Sequence, residues 1–153
     1  SQGELTAEKA RRGVARGGYI LSGAEGPCDV LICATGSEVA PAMGAAGILE
    51  STGRRVRVVS LPCWQLFDAQ DHRYRRMVLG GEVGLRVSVE AGATLGWHKY
   101  IGAQGLAIGI DRFGASAPGP ELAELFGFTP DKIAARIESV LAERASSTLS
   151  GEK

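Results

Sequence analysis

The run from Asp29 to Thr35, DVLICAT, limits what this chain can fold into. Its central residues are all apolar. A strand that alternates apolar and polar residues can leave one face in water. A continuous run cannot, and it demands cover on both faces. Gly36, Ser37 and Glu38 follow at once and open a helical pattern reaching about Ser51, with Val39, Met43, Ala46 and Leu49 at helical spacing. Thr35 and Glu38 match a T-x-x-E capping box, with Ser37 as a rival cap. Gly53 supplies the stop.

The same alternation continues along the chain. Arg57 to Leu61 reads as a strand ended by Pro62, and residues 68–79 read as a helix carrying Tyr74, Met77 and Val78. Leu85 to Val89 and Leu106 to Ile110 are two further strands, with a short helix expected over 95–100 between them. Another short helix is expected over 120–126. Thr129, Pro130 and Asp131 mark a helix start: a capping hydroxyl, a proline in the first turn and an acid beside it. Ile133, Ile137, Val140 and Leu141 give that helix one apolar stripe. Tyr19 to Leu21 is a short strand before a turn-rich stretch. Residues 1–13 read as a linker or cut end, 14–144 as one domain, and the polar stretch 145–153 as a disordered tail.

Strands separated by helices predict an α/β sandwich around a mainly parallel sheet. The 153 residues suffice for one domain. Net charge is zero, which gives no electrostatic case for nucleic acid or an anionic membrane. No apolar run approaches about 18 residues, so no bilayer span is expected. Cys28, Cys33 and Cys63 lack metal-ligand spacing and read as reduced thiols of a cytoplasmic protein.

In a parallel sheet, ligands gather where the strands end. That edge should carry Gly36 and Ser37, Glu90, and Asp111. Gly36 and Ser37 offer free amides and a helix dipole to an anion such as phosphate, or simply a tight capped turn. Glu90, His98, Lys99 and Asp111 could form an acid–base site, and Glu90 could equally satisfy loop amides. His72, Arg73, Arg75 and Arg76 form a local basic face, suited to solvent or to a phosphate-bearing partner. There is no G-x-G-x-x-G, no P-loop lysine and no G-x-S-x-G.

Eight segments in fixed order carry a family resemblance. They are GGYIL (17–21), ICATGSEV (32–39), RVVSLPCWQLFDAQ (57–70), YRRMVLG (74–80), RVSVEAG (86–92), GWHKYIG (96–102), IGIDRFGASAP (108–118) and LFGFTPDKI (125–133). In this order and spacing the chain resembles the C-terminal domain of transketolases. The resemblance implies a three-layer sandwich on a five-stranded, mixed but mostly parallel sheet, with Tyr19 to Leu21 as the candidate antiparallel edge. It implies a cytoplasmic, homodimeric parent that moves a two-carbon ketol unit between sugar phosphates in the pentose phosphate pathway. That parent uses thiamine diphosphate and a divalent metal, Mg or Ca.

The cofactor and substrate residues of that family belong to its pyrophosphate-binding and pyrimidine-binding domains. No catalytic, cofactor or metal residue is therefore expected in this chain. A structural or regulatory role follows, with an anion- or nucleotide-binding module as the alternative. Deoxyxylulose phosphate synthase and the β subunit of 2-oxo acid dehydrogenases carry similar domains. The run from Gly96 to Pro118 favours transketolase over both.

Overall fold

The computed structural model describes residues 7–91, 96–109 and 128–150. Helix α1 (Ala7–Ala15) leads into β1 (Tyr19–Ser22) and β2 (Cys28–Ala34). A single 3-10 turn (Gly36–Glu38) opens α2 (Val39–Ser51), followed by β3 (Val56–Ser60). Then come α3 (Trp64–Asp68), α4 (His72–Leu79), β4 (Val83–Glu90), α5 (His98–Ile101), β5 (Leu106–Gly109) and α6 (Pro130–Ser150). The strands make one five-stranded sheet in the order β1-β3-β2-β4-β5. β1 runs antiparallel to β3, and the other pairs are parallel. This is the mixed, mostly parallel sheet that the resemblance implies.

Burial explains the apolar runs. β2 sits at the centre, and Val30 through Ala34 are fully buried. Val30, Ile32 and Ala34 face one core with Val58, Val87 and Val89, under Ala42, Ala45 and Leu49 of α2 and Ile133 and Ile137 of α6. Leu31 and Cys33 face a second core with Val59, Phe67, Val78, Trp97 and Tyr100. Two helices therefore cover one face of the sheet, and α3, α4 and α5 cover the other, giving three layers. Pro41 falls in the first turn of α2, where its missing N–H costs little.

Several local expectations change. The helix expected over 68–79 starts at His72 in the structure, and a short helix, α3, that the sequence did not signal precedes it. Asp71 caps α4 by accepting from the Tyr74 amide at 2.7 Å, while Asp68 closes the separate short helix α3. The Thr35–Glu38 capping box does not form: neither side chain caps the start of the helix. Residues 7–15, placed by sequence mostly within a linker, are helical. Helix α1 meets Tyr19 so closely at Gly13 that a Cβ there would stand 2.2 Å from the ring. Helix α6 continues past Arg144 to Ser150, through the stretch expected as a disordered tail. The helix expected over 120–126 lies outside the described residues.

The start of α6 follows its sequence signal. Thr129 Oγ1 accepts from the Lys132 amide at 3.4 Å. Its apolar stripe packs as expected, with Val140 and Leu141 lying against the first core. Arg54, just past α2, fixes the far side through Nη2 to Glu138 Oε2 at 2.8 Å.

Candidate functional site

Neighbouring strands β2 and β4 end side by side, with Ala34 in register with Val89. From β2 the chain turns into α2 over the first core, and from β4 into α5 over the second. Loops that leave adjacent parallel strands toward opposite faces open a crevice between them, the usual ligand position in open α/β sheets. Gly36 and Ser37 follow the end of β2, and Glu90 ends β4. Asp111, the fourth candidate, lies outside the described residues.

Two carboxylates organise the crevice. Glu38 Oε1 accepts from the Ala91 amide at 3.3 Å and from Ser37 Oγ at 3.2 Å. Glu38 thus ties the β2 loop to the β4 loop instead of folding back on its own helix. Glu90 Oε2 accepts the indole N–H of Trp97 at 2.5 Å. Trp97 is fully buried, and its ring meets Trp64 edge-on at 4.8 Å between centroids. The Ser37 hydroxyl is exposed, and Gly36 takes a φ of 57°, a conformation that favours glycine. Sequence reasoning missed Glu38 and Trp97 as organisers here. The T-x-x-E spacing pointed Glu38 at the wrong partner. An aromatic in a short helix gave no sign of its acceptor.

Of the other acid–base candidates, Lys99 is engaged by Asp68. Lys99 donates to Asp68 Oδ2 at 2.6 Å, and the Tyr100 hydroxyl donates to Asp68 Oδ1 at 2.9 Å. Burial opposes charge on Asp68, but these two hydrogen bonds outweigh it and hold the carboxyl below its usual range. Lys99 also lies over the Trp64 and Tyr100 rings. His98 is exposed. Among the described residues, no group of three or more His, Cys, Asp or Glu could hold a metal ion. Asp29 and Glu138 are likewise paired, with Arg55 and Arg54. These described donors do not fit a metal–diphosphate group, and no step through thiamine diphosphate is derived from them.

A family model described as the transketolase-like TK C-terminal domain matches residues 17–129. The chain belongs to the transketolase C-terminal domain family. Curated relatives carry the same name. A transketolase of Aquifex aeolicus is 50% identical over 125 residues, covering 82% of this chain and 18% of the relative. Transketolase 2 of Escherichia coli is 43% identical over 146 residues, covering 95% and 22%. A transketolase structure from Pichia stipitis, in complex with sedoheptulose 7-phosphate, superposes with a TM-score of 0.76 at 39% identity. The match covers 88% of this transketolase C-terminal domain and 19% of that chain. The domain therefore spans about a fifth of the length of these relatives. No helix among the described residues is long and apolar enough to cross a membrane.

Proposed function

We propose that the chain serves as the third domain of a transketolase, a structural and interaction domain without chemistry of its own. The parent would transfer a two-carbon ketol unit between sugar phosphates in the cytoplasm, using thiamine diphosphate and Mg or Ca. Its pyrophosphate- and pyrimidine-binding domains and the parent homodimer would be this domain's partners. The observation that carries the reading is the state of the strand-end crevice. Glu90 is engaged by Trp97, and Glu38 by Ala91 and Ser37. One oxygen of each carboxylate, Glu90 Oε2 and Glu38 Oε1, is thus engaged in holding the segments at the strand ends together.

The anion-binding alternative at Gly36, Ser37, Glu90 and Asp111 meets an electrostatic obstacle. Glu38 and Glu90 bring two carboxylates to the same edge, and like charge repels an incoming phosphate. Calorimetric titration of the chain with thiamine diphosphate is expected to show no magnesium-dependent binding. Ketol transfer by the purified chain would overturn the structural reading. Phosphate binding lost in Ser37→Pro would likewise count against it, and for the alternative.

A further inference from the structure

Arg57 and Arg86 stand in one row across the sheet. Both are in register with Leu31, Arg57 from β3 and Arg86 from β4. Residues in register on adjacent strands share a face, so all three point into the second core. The two arginine Cα atoms are then about 10 Å apart, two inter-strand spacings. Arg57 is fully buried and Arg86 half-buried. Among the described residues, neither has a carboxylate partner.

The hydrogen bonds of Arg57 are incomplete. Arg57 donates from Nε and Nη2 to the Ala24 carbonyl at 3.0 and 2.7 Å, and from Nη2 to the Gly26 carbonyl. Its Nη1 is buried and has no acceptor. Arg86 donates to the Leu79 and Gly80 carbonyls at 2.5 and 2.7 Å, capping the end of α4. Its remaining N–H groups are held in a fixed orientation. Buried guanidinium without counter-charge is costly, and a buried donor without an acceptor is rare enough to require explanation.

Both side chains converge on Gly80. A Cβ at Gly80 would stand 2.5 Å from Arg57 Nη1. Beside Gly80 opens a cleft of 370 Å³, lined in part by His72, Arg75, Arg76, Gly81 and Arg86, with no Asp or Glu in its lining. Asp68, bonded to Tyr100 at its margin, is neutralised by Lys99. The chain carries no net charge, so this positive lining is a local concentration.

We infer that the Gly80–Gly81 shelf, between Arg75, Arg76 and Arg86 and backed by Arg57, binds a phosphoryl oxyanion. Guanidinium forks match the spacing of phosphate oxygens, and bare glycine backbone leaves the anion room to approach. Gly80 and Gly81 lead into β4, so this site lies toward the amino ends of the parallel strands. It is separate from the crevice at Glu90 and does not depend on the role proposed above.

The test is a titration of the isotope-labelled chain with inorganic phosphate, followed by nuclear magnetic resonance against chloride at equal ionic strength. Phosphate should give saturable shifts at the Gly80 and Gly81 amides and at the Arg76 and Arg86 Nε–H groups. A parallel arm with glycerol 3-phosphate distinguishes sources: tighter binding there assigns the site to a phosphomonoester, and equal binding assigns it to the free anion. Gly81→Asp places a carboxylate in the cleft, and its Cβ would meet first the end of the Arg76 side chain at 2.9 Å, which can swing aside. Arg76 is exposed, so Arg76→Gln tests the same contact without touching the core. Each is expected to weaken phosphate about tenfold or more, the loss of one charge-assisted contact. Identical shifts from chloride, or unchanged phosphate affinity in Arg76→Gln, would overturn the site.

Discussion

Trp97 donates its indole N–H to Glu90 Oε2 at 2.5 Å, which ties the residue just before α5 to the end of β4. The indole is fully buried and the carboxylate only partly so. Trp97→Phe keeps an aromatic ring in the second core but removes the donor. The expected cost is about 1–3 kcal/mol, the range for stranding a partly buried hydrogen-bond partner. Glu90→Gln retains an acceptor and should cost less. Urea unfolding of the two variants and their double mutant measures the pair. Equal losses in both would contradict the assignment.

Glycines with positive φ separate conformational strain from crowding. Gly53 has a φ of 92°, and a Cβ added there would meet nothing within 4 Å. At Gly17, with a φ of 81°, a Cβ would stand 2.2 Å from the Cys63 carbonyl oxygen. Gly53→Ala should cost about 1 kcal/mol from backbone strain alone. Gly17→Ala should cost clearly more, because a backbone oxygen cannot move aside cheaply. Thermal unfolding of the two alanine variants checks the order.

Burial pushes the Tyr100 phenol up to about 12, with the bond to Asp68 acting in the same direction and Lys99 opposing. The folded state therefore holds this proton more tightly than an unfolded tyrosine, near 10. Its contribution to stability is fully present below about pH 10 and declines as pH rises toward 12. Lys99, held up by its bonds to Asp68 and Tyr100, adds to the same alkaline limb. Stability measured from pH 9 to 12 should fall less steeply in Tyr100→Phe than in the parent chain. An unchanged slope would remove Tyr100 from the explanation.

The three thiols should differ sharply in reactivity. Cys33 is fully buried, and desolvation raises it to about 12 against a weak opposing pull from Arg86. Burial also raises Cys28, with Arg57 and Arg86 opposing. Cys63 is only partly buried. Thiolate is the reactive form, so a thiol reagent at pH 8 should label Cys63 first and the other two only on unfolding. Labelling of Cys33 at the rate of Cys63 would show that the second core opens readily.

Arg54 holds Glu138 across the packing of α2 on α6 at 2.8 Å, and this bond keeps the carboxyl below its usual range. A depressed carboxyl stabilises the fold above its ordinary pKa and loses that effect as pH falls through the lowered value. Glu138→Gln should flatten the acid limb of a stability–pH curve. Because both groups are partly exposed, the difference should shrink at high salt.

Most of the sheet was legible because burial writes itself into composition. The apolar cores of β2, β3 and β4 need cover on both faces, and only long apolar runs provide it. The start of α6 was legible because its cap is local: threonine, proline and acid act within one turn. What failed depended on distant partners. Glu38 has the spacing of a capping box, yet the Ala91 amide lies closer to its need across the crevice. Asp68, the last residue of α3, is bonded by Lys99 and Tyr100, about thirty residues further along the chain. Arg57 opens one expected strand and Arg86 lies inside another, and only strand register brings them to one face. The candidate edge at Gly36, Ser37 and Glu90 followed from topology alone, and its carboxylate bonds did not.

Strand β1 has a consequence beyond its place in the sheet. It is four residues long, runs against its neighbour, and shifts register between Ile20 and Ser22. An outer strand with a long regular row of free amides and carbonyls invites another chain to add to it. A short, irregular one gives such a chain few bonds in sequence, and Tyr19 is further engaged by α1 at Gly13. The sheet is thereby guarded on this side against fibrous growth. Lengthening β1, or regularising its register, is the change that would turn a discrete domain toward self-association.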